Sequence, residues 1–298
     1  MNRTLLFLLL GPLALGLGVV GVSRYLLRPY PAEAAALAAL KGAQETPEAF
    51  LLLPPRAKAL LAFYPGARVD PRAYAPLLAP LREAGYGVAL LKVPAGLALL
   101  GKERALEVAR GLPRLPLVVG GHSLGGVVAA EVAAREGLPL VLLASYPEGD
   151  LSRENFPTLA VYGTEDGLLP PKEAREKAKR LPRGARVVYV AGLNHAGFGA
   201  YGAQRGDRPL RRPREALWEE VRQEVLLFLE GLGWAAPLPP RAGNPSPCPP
   251  EAFPAQARGA RSAIVESAGA GAPPRKADFP QSPSGGPFSP RGKGKEGS

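Results

Sequence analysis

GGHSLGG, residues 120–126, follows the apolar run PLVV (116–119) and precedes an Ala/Val-rich segment, 124–135. The first part reads as a strand and the last as a helix, so the heptapeptide is a turn between them. It contains the G-x-S-x-G pattern. A strand–turn–helix context is what a nucleophile elbow requires. The turn would be so tight that side chains at Gly121 and Gly125 clash with neighbouring backbone. Ser123 would then sit strained at the tip, with its hydroxyl at the carboxyl end of the sheet. The following helix would offer free N–H groups and its positive dipole end to a reacting oxygen. The plainer alternative is a Gly-rich turn that only lets a helix pack on a sheet.

A serine hydroxyl needs a base. The chain has two histidines, His122 and His195. His122 adjoins Ser123 in the turn and points away from it, which leaves His195. That residue lies in Ala191-Gly192-Leu193-Asn194-His195, just after the last expected strand, and so at the carboxyl edge of the sheet. A carboxylate should fix its tautomer. Asp166 in YGTEDG (162–167) is the candidate, with Glu165 and Asp150 as rivals. An oxyanion hole needs two backbone N–H donors. Leu124 would supply one, and Gly66 or Ala67, after the strand at 59–64, the other. The scheme calls for no metal and no organic cofactor.

Outward from this centre, strands and helices alternate. Strands are expected at 59–64, 87–93, 116–120, 140–145, 158–162 and 186–190. Helices are expected at 71–84, 102–111, 124–135, 172–180 and 214–232. Runs such as ALLAFY and PLVLLAS are apolar throughout, as in strands buried on both faces. The fold class is therefore α/β, a mostly parallel sheet with helices on both faces. Only twelve residues, 146–157, separate two of the strands, too few for a helical cap. The site should be open and suited to small or surface-accessible acyl substrates. The apolar loop 93–101 reads equally as a pocket wall and as core.

The stretches FYPGARVDPRAY (63–74), GGHSLGG (120–126), ASYP (144–147), YGTEDG (162–167) and NHAGFGAYGAQ (194–204) resemble the α/β-hydrolase family, over about 59–232. The likeness is to a small bacterial branch similar to dienelactone hydrolases. It implies the α/β-hydrolase fold and a triad of Ser123, Asp166 and His195. Dienelactone hydrolases use a cysteine nucleophile. This chain has Ser123, so their substrate is not carried over. The function expected is a serine hydrolase acting on an ester-like acyl substrate. The alternatives are a non-catalytic membrane-tethered binding module on the same fold, or a peptidase or acyltransferase using the same serine.

The ends of the chain are unlike its middle. Residues 4–22 carry no charge, and as a helix they would span about 28 Å. They read as a single-pass anchor within segment 1–28, with the catalytic domain extracytoplasmic. A cleaved export signal is the alternative. Residues 29–57 read as a connector with one Ala-rich helix, 58–234 as the catalytic domain, and 235–298 as a tail. Pro and Gly supply 23 of the tail's 64 residues, so it is expected to be disordered. The net charge is +11, from 37 basic and 26 acidic residues, but it forms no clustered stripe and argues against nucleic acid. A lone cysteine, Cys248, excludes an intramolecular disulfide.

Overall fold

The computed structural model describes residues 30–234. The chain divides into two units, Met1–Pro249 and Pro250–Ser298. The second lies wholly outside the described residues, as do the expected anchor at 4–22 and the expected disordered tail. Among the described residues, no helix is long and apolar enough to cross a membrane.

The strands are β1 (Gln44–Glu45), β2 (Ala49–Leu52), β3 (Leu60–Tyr64), β4 (Gly87–Leu91), β5 (Leu117–His122), β6 (Leu140–Leu143), β7 (Thr158–Gly163) and β8 (Arg186–Val190). They form one sheet in the order β1-β2-β4-β3-β5-β6-β7-β8. From β4 to β8 all pairs are parallel. The helices are α1 (Ala34–Ala39), α2 (Ala75–Leu78), α3 (Arg104–Gly111), α4 (Leu124–Glu136), α5 (Pro171–Ala178) and α6 (Arg214–Gly231).

Alternation along the strands explains the layers. On β3, Leu61 and Phe63 enter one core, with Leu77, Trp218, Val221 and Val225 from α2 and α6. Leu60, Ala62 and Tyr64 enter the other, with Ala105, Val128, Val132 and Ala174 from α3, α4 and α5. Each face of the parallel sheet is thus covered by helices, which is why the strands carry no polar face. Between β6 and β7 no helix intervenes, so among the described residues no cap is inserted there over the sheet edge.

Two expectations need correction. The connector 29–57 is more than a link. Its β1–β2 hairpin extends the sheet, with β2 antiparallel to β4 from Ala49↔Leu91 to Leu52↔Val88. Ala36 of α1 and Leu52 are fully buried in the core. The short, mixed segment QETPEAFLL hid a strand that tertiary pairing completes. The single helix expected at 71–84 is broken into a 3₁₀ turn at Pro71–Tyr74, α2, and a second 3₁₀ turn at Ala79–Arg82. Pro76 and Pro80 lack the N–H that an unbroken helix would use at those positions.

The sheet order reverses at β3/β5, because the chain runs from β3 out to β4 and then crosses back to β5. Ligands of open α/β sheets bind outside the carboxyl ends of the strands at such a switch point. Here Tyr64 stands beside Gly121, His122 beside Leu143, and Gly163 beside Val190. The residues that follow these strand ends therefore meet along one edge.

Candidate active site

Ser123 lies between β5 and α4 at φ 50°, ψ −124°, a left-handed backbone that non-glycine residues avoid. Strain of this sort costs about 1–3 kcal/mol and persists only where the surroundings enforce it. Three contacts do so. Ser123 N–H donates to the Leu143 carbonyl at 3.1 Å. The Ser145 hydroxyl donates to the Ser123 carbonyl at 2.7 Å. A Cβ on Gly121 would overlap the Gly125 carbonyl, and one on Gly125 would overlap the carbonyls of Tyr64 and Pro65. The two glycines let β5, α4 and the end of β3 close on one another. Ala144, opposite, is also held at positive φ, 46°.

His195 and Asp166 come from the loops after β8 and β7. Both are buried, and His195 Nδ1 lies 2.8 Å from Asp166 Oδ2. The carboxylate accepts at Oδ2, so Nδ1 carries a hydrogen. The other oxygen, Oδ1, accepts from the N–H groups of Leu168 and Leu169 at 2.9 and 2.6 Å. The rivals lie elsewhere. Glu165 faces Arg211 at 3.7 Å. Asp150 is exposed and caps its own turn through Ser152 N–H at 2.9 Å.

Ser123, His195, Leu124, Gly66 and Ala67 all line one cavity of about 280 Å³. No hydrogen bond joins Ser123 Oγ to His195 among the described residues. Gly66 N–H donates to the Tyr74 hydroxyl at 3.0 Å. Ala67 N–H has no partner among the described residues, and Leu124 N–H opens the first turn of α4, where no carbonyl of the helix reaches it. The loop at 93–101 does not wall the cavity. It forms two 3₁₀ turns with Ala98 buried and Leu100 61% exposed. Tyr146, Leu168 and Leu169 stand there instead.

A model of the alpha/beta hydrolase family matches residues 60–219, more than half of the chain. The chain belongs to the alpha/beta hydrolase family. Among solved structures it is similar to an alpha/beta hydrolase enzyme from the metagenome of sediments from the lagoon of Mar Chica, Morocco. That likeness has 14% identity and a TM-score of 0.50, over 64% of this chain and 98% of that one. A thermophilic esterase from Thermogutta terrifontis shares 16% identity, with a TM-score of 0.48 over 63% of this chain and 90% of that one. A dienelactone hydrolase from Anabaena variabilis shares 15%, with a TM-score of 0.46 over 63% and 95%. No curated protein matches.

Within this alpha/beta hydrolase, sequence reasoning missed Asp207. Its Oδ1 accepts from Gly167 N–H at 3.0 Å and His195 N–H at 3.2 Å, and its Oδ2 accepts from Ala196 N–H at 2.8 Å. One carboxylate thus clamps the backbone beside Asp166 to the backbone of His195. Nothing in the sequence marks it, because its partners are main-chain groups and lie up to forty positions away. Asp207→Ala is expected to lower kcat by about 10²-fold with little change in KM, since the two loops then drift by a fraction of an ångström. Asp207→Asn, which keeps one accepting oxygen, should lose less. Steady-state kinetics on an ester substrate check both, and an equal loss in KM would assign the effect to binding.

Proposed function

We propose that this chain is a serine hydrolase acting on small, neutral, ester-like acyl substrates. The observation that carries the reading is the buried His195–Asp166 pair, 2.8 Å apart, opening on the same cavity as Ser123 at its positive-φ turn. Ser123 Oγ attacks the acyl carbon while its proton passes to His195 Nε2. Asp166 holds Nδ1–H and so keeps Nε2 free. The developing oxyanion is met by Leu124 N–H and Ala67 N–H, because Gly66 N–H is already taken by Tyr74. The tetrahedral adduct collapses, the alcohol leaves with the proton from His195, and an acyl-Ser123 ester remains. Water, deprotonated by His195, then repeats the sequence and releases the acid.

The cavity supports the substrate class. Its volume suits a short acyl chain, and among the described residues no cap lengthens it. Among the described residues its lining holds the carboxylate of Glu173 and no lysine or arginine, which disfavours substrates with a free carboxylate.

The test is labelling of the full chain with a fluorophosphonate, followed by a panel of p-nitrophenyl esters of rising acyl length. Labelling is expected, with kcat/KM highest for the short neutral esters and at least about tenfold lower for a carboxylate-bearing one. A folded chain that takes no label would overturn the enzymatic reading and favour a binding module on the same fold.

A further inference from the structure

His122 lines the same cavity as Ser123 and His195. It is fully buried, and its ring centre lies 4.7 Å from that of His195. Both ring nitrogens are engaged. Nε2 lies 3.1 Å from the His195 backbone carbonyl. A carbonyl only accepts, so Nε2 carries the hydrogen. Nδ1 is then the acceptor, and the Tyr74 hydroxyl, 2.9 Å away, must donate to it. Having spent its one proton there, Tyr74 Oη accepts from Gly66 N–H at 3.0 Å. Every bond in this series can run in one direction only.

The series starts on the turn after β3, which carries the oxyanion donor, and ends on the residue that carries the base. The turn also rests directly on the ring. A Cβ at Gly66 would lie 2.7 Å from His122 Nδ1 and 3.1 Å from the Tyr74 hydroxyl. Gly66 is thus a glycine for close approach, not for a special backbone angle.

We propose that Tyr74 and His122 are positioning residues, a one-way hydrogen-bond relay that sets the distance between the oxyanion turn at Gly66–Ala67 and His195. The inference rests on the serine hydrolase reading. A relay of this kind needs a neutral imidazole, since a cation could not accept from Tyr74. Burial, and then the nearby His195, hold His122 well below the ordinary histidine range. Among the described residues the titratable side chains whose rings face it are Tyr74, Tyr201 and His195, and burial pushes both tyrosines up, so neither ionises beside it.

Two measurements on the full chain test the relay. With only two histidines, a long-range ¹H–¹⁵N spectrum can be assigned with His122→Gln. His122 is expected as the Nε2–H tautomer, unchanged between about pH 5 and pH 8. The second measurement is kinetic. Tyr74→Phe should lower the rate of fluorophosphonate labelling and kcat by about tenfold, with KM within about twofold. His122→Gln, whose amide can still donate to the His195 carbonyl, should lose less than His122→Ala. Combining Tyr74→Phe with His122→Ala should cost little more than His122→Ala alone, because one break already interrupts the relay.

A labelled parent whose folded Tyr74→Phe variant keeps the parental rate would overturn the relay, as would additive losses in the double variant. So would a His122 found cationic or as the Nδ1–H tautomer, which is decisive even if Tyr74→Phe does not fold. An unlabelled parent would instead overturn the hydrolase reading, and the tautomer would still be readable.

Discussion

Ser123→Ala is expected to abolish fluorophosphonate labelling and to lower ester hydrolysis by about 10⁶-fold, down to the background that the oxyanion donors and binding supply. The hydroxyl is the only nucleophile the proposed mechanism uses. Ser145, which lines the same cavity, already donates its hydroxyl to the Ser123 carbonyl. Stability should respond differently. Ser123 sits at φ 50°, a conformation alanine shares no more readily than serine. Ser123→Ala should therefore leave the thermal midpoint near that of the parent. Ser123→Gly, equally inactive, should raise stability by about 1 kcal/mol as the strain is released. Labelling that survives Ser123→Ala would move the nucleophile elsewhere. A midpoint for Ser123→Gly at or below that of the parent would show that the turn stores no strain.

Asp166→Asn should lower kcat by about 10⁴-fold while leaving the fold intact. The reason lies in how the two carboxylate oxygens are used. Oδ1 accepts from Leu168 and Leu169 N–H, so the amide oxygen of the replacement must take that place. Its NH₂ group then faces His195 Nδ1, where a donor meets a donor unless the ring changes tautomer. The ring responds by carrying its hydrogen on Nε2, the atom needed as a base. The loss should appear in kcat more than in KM, and raising the pH should recover little of it. Near-parental kcat would mean that another group orients His195. Glu165 and Asp150 are too poorly placed to do so, one paired outward with Arg211 and the other exposed.

The sequence alone determined the parts of this protein that depend on local geometry. GGHSLGG between an apolar strand and a small-residue helix admits one sharp turn, because a Cβ at Gly121 would overlap the Gly125 carbonyl only four residues on. Apolar runs without alternation meant a sheet covered on both faces, and the short segment 146–157 left no space for a helical cap. Those inferences need no partner distant in sequence. The choice among Asp166, Glu165 and Asp150 was open because neighbouring loop acids look alike until the backbone aims them.

Tertiary structure decided whatever rests on groups far apart in the chain. It brought Asp166 to His195 across 29 positions and Tyr74 to His122 across 48. It gave Gly66 N–H to Tyr74, while Ala67 N–H has no partner among the described residues. It recruited Asp207 through main-chain N–H groups that every residue but proline possesses. It also turned part of the expected connector into the edge of the sheet. A hydrogen bond to the backbone leaves no mark on side-chain pattern, and a short edge strand is defined by the neighbour it pairs with.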